Sequence, residues 1–139
     1  MANPAFHRLN LDWNAEPNAP LPSVDAINEQ VRLRFFLNPW AYQAREGEIG
    51  QLLFDGCSRW RLGPTNDEGW YSDQCRYSRQ APQWGEFYEI TGDDPLMLKP
   101  TDWQILGSEI KMSRHFLFYL RDEIFECLAR EWAFSRIVA

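Results

Sequence analysis

Arg59 and Arg61, and then Tyr71 and Asp73, stand two residues apart within residues 52–77, with Asp67, Glu68 and Trp70 in or beside the loop between them. Guanidinium groups, carboxylates and aromatic rings at one end of a rigid hairpin are the materials of a recognition surface. Arg, Trp and Tyr dominate interface hot spots, and scaffolded loops carry a large share of binding residues. The expected chemistry is capture of a partner by fixed charge and aromatic area. The plainer alternative buries the aromatics and leaves the arginines in surface ion pairs worth about 0–1 kcal/mol each.

Catalytic and metal-binding chemistry is harder to assemble. The chain has two histidines, His7 and His115. His115 falls on an apolar strand, which predicts a satisfied structural imidazole, and His7 has no evident partner. Glu126 alternates with Ile124 and Leu128 and is expected to face a semi-polar interior, where a buried carboxylate needs a partner. Arg59, Arg61 or Arg76 could supply it. Glu86 and Glu89 fall on opposite faces of one strand and cannot act as a pair. Phosphate-cradling glycine motifs, a G-x-S-x-G elbow and H-E-x-x-H are absent from the sequence. The acidic residues at 66–68 lack the spacing of a calcium loop. No catalytic residue, metal or cofactor is therefore expected.

These residues need strands to hold them. A hairpin register centred on Asn66 sets Leu62 against Trp70, Arg61 against Tyr71, Arg59 against Asp73 and Cys57 against Cys75. Leu52, Phe54, Trp60, Leu62 and Trp70 then share a core face, and Cys57, Arg59, Arg61, Tyr71 and Asp73 share a polar one. Residues 7–13 alternate with Leu9, Leu11 and Trp13 inward, which predicts a strand. Residues 14–22 hold three prolines and two asparagines, so an extended connection follows. Val31, Leu33, Phe35 and Leu37 give the cleanest alternation in the chain and predict a strand over 29–37. Further strands are expected at 86–91 and 103–106. A central hairpin is expected from 115–120 and 124–129, and the tail at 130–138 reads as a last strand or a short helix.

About eight short strands with tight connections predict a mainly β fold, an antiparallel sandwich or a partly closed barrel. The alternative is an α+β fold with one or two short helices, near 39–46 or in the tail. At 139 residues the chain is expected to form a single domain, 1–139, with residues 1–28 as an N-terminal strand and proline-rich connection docked on the body. Aromatics at 15% of residues are incompatible with a disordered chain. A formal charge of −6 disfavours nucleic acid, whose non-specific capture rests on Lys and Arg, and favours a neutral or basic partner. No apolar run approaches the ~18 residues of a membrane span, and the first residues lack the order of a signal peptide. The expected location is the cytoplasm, with the three cysteines as reduced thiols rather than a Cys57–Cys75 disulfide.

The segments LDWNAEPNAP, GPTNDEGWYSDQCR, WGEFYEITGD and SRHFLFYLRDEIFECLA together resemble uncharacterised bacterial domain families. The closing hairpin, an aromatic strand, an Asp, then a strand ending in Glu-Cys, is similar in style to the closing segments of bacterial toxin-immunity proteins. The resemblance implies a protein-neutralising role and carries no catalytic residue across. The preferred expectation is a small cytoplasmic module that binds, neutralises or regulates a protein partner and is not an enzyme. A small-ligand-binding β domain and an acid–base hydrolase are the alternatives, and a homodimer through an exposed sheet edge is a further possibility for partnering.

Overall fold

Val31, Leu33, Phe35 and Leu37 are buried while the residues between them are half-exposed, the period of two that a strand imposes when one face meets a core. The computed structural model describes residues 4–42, 44–64, 77, 80–92, 94, 97–107 and 113–137. Among these are ten strands: β1 (Ala5–Arg8), β2 (Ser23–Ile27), β3 (Gln30–Phe36), β4 (Ile49–Asp55), β5 (Arg59–Pro64), β6 (Phe87–Thr91), β7 (Gln104–Ile105), β8 (Arg114–Tyr119), β9 (Glu123–Ala129) and β10 (Glu131–Ile137). They form a six-stranded sheet in the order β1-β6-β8-β9-β5-β7 and a four-stranded sheet in the order β10-β4-β3-β2. Every pairing is antiparallel. The fold is a mainly β sandwich and not a closed barrel. Among the described residues there is no helix, and none long and apolar enough to cross a membrane.

The two sheets meet over one apolar core. Leu33, Phe35, Leu52 and Phe54 come from the smaller sheet, and Phe87, Phe116, Phe118 and Phe125 from the larger. Phe35 meets Phe118 edge-on at 5.1 Å, and Phe54 lies 5.4 Å from Phe125. Trp13 stacks on Phe134 at 4.1 Å. The outer face of the larger sheet is covered as well. Leu117, Tyr119, Ile124, Tyr88 and Ile90 pack there against Tyr77 and Ala81 of the long β5–β6 connection.

The sheets are joined at a corner. β4 continues into β5, and β9 into β10, so one two-stranded ribbon runs through both sheets. Asp55 pairs with Glu131 and Arg59 with Leu128, which leaves three residues, 56–58, opposite two, 129–130. This is a bulge, and an extra residue on one strand bends a ribbon and raises its twist. Gly56 takes a φ of +63°, and a Cβ there would lie 2.9 Å from Arg130 Cδ.

This corner corrects the single hairpin expected over 52–77. β4 and β5 lie in different sheets, and Arg59 is paired on both of its edges, with Leu128 and with Ile105. A strand has only two edges, so Arg59 has none left for the expected Asp73. Trp70, Tyr71, Asp73 and Cys75 lie outside the described residues, as do Asp67, Glu68 and Arg76. Leu52 and Phe54 take the core side with Trp60 and Leu62 packed against them, as the alternation predicts. Cys57, expected on the polar face, is in the core, because the bulge turns it inward.

Other boundaries shift for local reasons. The first strand is Ala5–Arg8 rather than 7–13. Buried Asn10 ends it by donating from Nδ2 to the Trp13 carbonyl at 2.9 Å and accepting from the Phe87 amide at 3.0 Å, which leaves Leu11 exposed. Near residues 39–46, where a short helix is the alternative, Asn38 Oδ1 accepts from the Trp40 amide at 3.0 Å and Tyr42 has a φ of +61°. The described residues there form turns. The tail is the strand β10, paired with β4.

Replacing Gly56 by Ala places a Cβ against Arg130 in a left-handed backbone conformation and should lower stability by about 1–2 kcal/mol. Urea unfolding of the Gly56→Ala variant measures it; an unchanged midpoint would show that the corner tolerates a side chain.

Candidate functional site

Glu126 is 0% exposed, and a carboxylate so enclosed is stable only if partners replace its water. The sheet supplies two of them. Arg61 on β5 is the cross-strand partner of Glu126 on β9, and its Nη1 donates to Glu126 Oε1 at 3.3 Å. His115 lies diagonally across on β8, with Nε2 2.5 Å from Glu126 Oε2. Of the three expected partners, Arg61 is placed against Glu126, and Arg76 lies outside the described residues. Arg59 Nε is buried without a hydrogen bond among the described residues.

The ladder extends beyond the sheet at both ends. His115 Nδ1 is 3.7 Å from Asp94 Oδ2, and Tyr77 donates its hydroxyl to the same oxygen at 2.5 Å. At the other end Arg61 donates to both oxygens of Asp102, at 2.7 and 3.1 Å. The side chains of Asp94 and His115 are each 4% exposed, whereas that of Asp102 is 50% exposed. The series thus runs from the surface at Asp102 to an enclosed end at Asp94. The imidazole is bonded on its Glu126 side, while Nδ1 is buried without a hydrogen bond among the described residues, so the satisfied imidazole expected from the sequence is met at one nitrogen only. The Arg61 bonds tie the connection carrying Asp102 to the sheet, and the Tyr77 bond joins two connections to each other beside His115.

Periodicity pointed to Arg61, His115 and Glu126, because charged or polar groups interrupt otherwise apolar strands. Tyr77, Asp94 and Asp102 come from irregular connections, where no period marks a residue. Of the expected recognition surface, Arg59 and Arg61 are half-buried on β5, and Arg61 is committed to its two carboxylates. The expected surface residues Asp67, Glu68, Trp70, Tyr71 and Asp73 lie outside the described residues. Among the described residues no group of three or more His, Cys, Asp or Glu side chains is placed to hold a metal ion.

The space between the sheets is filled by aromatic rings. Two hollows open instead on either side of the proline-rich arm, residues 14–22. The arm is fixed to the end of β3: the Glu16 amide donates to the Phe36 carbonyl at 2.8 Å, the Phe36 amide to Pro20 at 2.9 Å, and the Asn38 amide to Asn14 at 3.0 Å. One hollow, of 380 Å³, lies between the arm and Trp84, Glu86, Tyr119 and Arg121. The other, of 550 Å³, lies between the arm and Phe36, Pro39, Trp40 and Glu46. Glu16 lines both. Trp40 is 71% exposed and Leu21 67% exposed at the larger hollow, and Leu21 is held at a φ of +45°. Nothing in the sequence pattern announced the hollows, since docking of an irregular arm creates them.

At the smaller hollow Trp84 stacks on Tyr119 at 4.9 Å. Glu86 accepts a short hydrogen bond from Asn10 Nδ2. Burial pushes its carboxyl above the usual range, against the opposing pulls of the Asn10 bond and the Arg8 charge. In the core, burial first and the neighbouring Cys57 thiol second push the Cys127 thiol well up, so Cys127 remains an inert thiol at neutral pH.

No family model matches the chain, and neither the curated proteins nor the solved structures contain a match to it.

Removing one member of a buried ion pair strands the other. Arg61→Met should lower stability by about 3–5 kcal/mol, whereas Asp102→Asn, at the wet end, should cost less than about 1 kcal/mol; urea unfolding of both compares them. Glu86 carries a second expectation. Because its folded pKa is raised, folding takes up a proton as the pH climbs above the ordinary value of 4.5. The group's contribution is fully present below that value and is lost as pH rises through the folded pKa. Thermal melts from about pH 4 to 7 should therefore show a smaller loss with rising pH in Glu86→Gln than in wild type.

Proposed function

We propose that this chain is a protein-binding module and that the arm at 14–22, with the hollows beside it, is its contact face. The observation that carries this reading is the pair of large apolar side chains, Trp40 and Leu21, left exposed beside a 550 Å³ hollow. Scattered exposed apolar residues need no explanation, but a cluster at a concavity marks interaction sites. Trp is also the residue type that most often anchors an interface. Leu21 strengthens the case, since a leucine at positive φ costs about 1–2 kcal/mol and burial of its side chain does not offset that. Strain that a fold keeps without a packing return is a reason to look for function.

The backbone bonds between the arm and β3 hold the surface in one shape, which lowers the entropy cost of association. The charge of −6, with Glu16 and Glu46 at the hollows, suits a neutral or basic partner and disfavours nucleic acid. Neutralising or regulating that partner, in a reducing bacterial cytoplasm suited to the buried thiols Cys57 and Cys127, completes the proposal. A second reading is favoured by the Asp94–His115–Glu126 series, which has the groups of an acid–base hydrolase. It requires the covering connection to open, because His115, Asp94 and Glu126 are enclosed.

Leu21→Asn separates binding from folding. Asn accepts the left-handed backbone, so the variant should be as stable as wild type or more so by up to about 1 kcal/mol, while capture of the partner from lysate of the source organism falls about tenfold. Trp40→Ala should lose the same protein with an unchanged melting temperature. Undiminished capture by both variants would move the contact face away from the arm.

A further inference from the structure

We infer that the 380 Å³ hollow between the arm and residues 84–86 receives a cationic side chain, the ammonium of a lysine or the guanidinium of an arginine, presented by a protein partner. The inference rests on the reading of the arm as a protein-binding face and adds the chemistry of what enters it.

The walls of the hollow supply a ring face and acceptors. Trp84 and Tyr119, stacked at 4.9 Å and 30°, form one wall, and the negative faces of such rings attract a cation. Glu86 is nine-tenths buried and lines the same space. Its side-chain hydrogen bond among the described residues comes from the neutral amide of Asn10, and Arg8, whose charge acts on it, makes no ion pair with it. Asn14 lines the hollow too, and its Oδ1 is buried without a hydrogen-bond partner among the described residues. A carboxylate bonded by one neutral amide and an amide oxygen with no donor suit a ligand rich in donors, and an ammonium or guanidinium has donors and no acceptor.

The one basic residue in the lining, Arg121, is committed at the rim. Its Nη1 donates to the Asn18 carbonyl at 2.9 Å and its Nε is 3.8 Å from Asp122, with the side chain 49% exposed. That bond fixes Arg121 to the arm at the edge of the hollow, where its charge is half-exposed to water. Glu16 adds a second carboxylate from the arm side. The volume is within the range of sites that hold small groups.

The test is an NMR titration of the full chain with acetyl-lysine amide, acetyl-arginine amide and the neutral isostere acetyl-norleucine amide. Saturable shifts at the Trp84 indole and the Tyr119 ring, at least about tenfold stronger in affinity for the cationic probes than for norleucine, are expected. Glu86→Gln should abolish that preference, and Trp84→Leu, which leaves Glu86 in place, should weaken it and serves if the first variant does not fold. Equal binding of norleucine, or no shift at these rings with any probe, overturns the inference. Because the probes contain no partner protein, cation binding without partner capture marks failure of the protein-binding reading alone. Capture that persists without cation preference marks failure of this one alone.

Discussion

One extra residue at the corner of the ribbon shapes most of this molecule. Because residues 56–58 face only 129–130, the β4–β5 strand and the β9–β10 strand bend together and pass from one sheet to the other without separating. The bend depends on Gly56, whose positive φ and missing Cβ let the chain pass close to Arg130. Everything downstream follows from the angle it sets. It folds the inner faces of the two sheets onto each other, turns Cys57 into the core beside Cys127, and delivers β5 to the edge of β9 in the register that puts Arg61 opposite Glu126.

That register gives the larger sheet an unusual outer face. An antiparallel sheet in a sandwich usually leaves one face to water, yet here Tyr77 and Ala81 cover apolar residues on it and a charged series crosses three neighbouring strands. A buried ion pair is a weak source of net stability, because desolvation offsets most of the attraction. Its directional bonds do more for position than for stability. The bonds of Arg61 fix the connection that carries Asp102 to β5, and the Tyr77 bond to Asp94 fixes two connections to each other over the apolar cover.

How far the sequence revealed this depends on what kind of residue carried each feature. β3, β8 and β9 were legible because strict alternation leaves a strand no other way to bury its apolar side. β2 was not, since Val24 alone on that edge strand is even partly buried and alternation needs a core to enforce it. The corner was concealed by its own parity: Leu52, Phe54, Trp60 and Leu62 are all even-numbered and all face the core, so the sequence reads as one unbroken strand. Cys57, odd-numbered and buried at the corner itself, betrays the bulge. Within the polar series the strand residues Arg61, His115 and Glu126 stood out against apolar neighbours. Their loop partners and the two hollows arise from docking of irregular segments, which leaves no periodic trace.

The ribbon also dictates when the fold can close. β4 has its two edges taken by β3, its neighbour in sequence, and by β10, which follows every strand of the larger sheet. During synthesis the apolar β3–β4 hairpin therefore waits with an open edge while the larger sheet is made. Such an edge is a template for pairing with other chains, and non-local closure of this kind is slow. Arg32, Arg34 and Gln51 alternate along the hairpin's outer face and give that side a polar surface. Until β10 pairs with it, that edge of β4 is the one the native sandwich leaves for last in chain order.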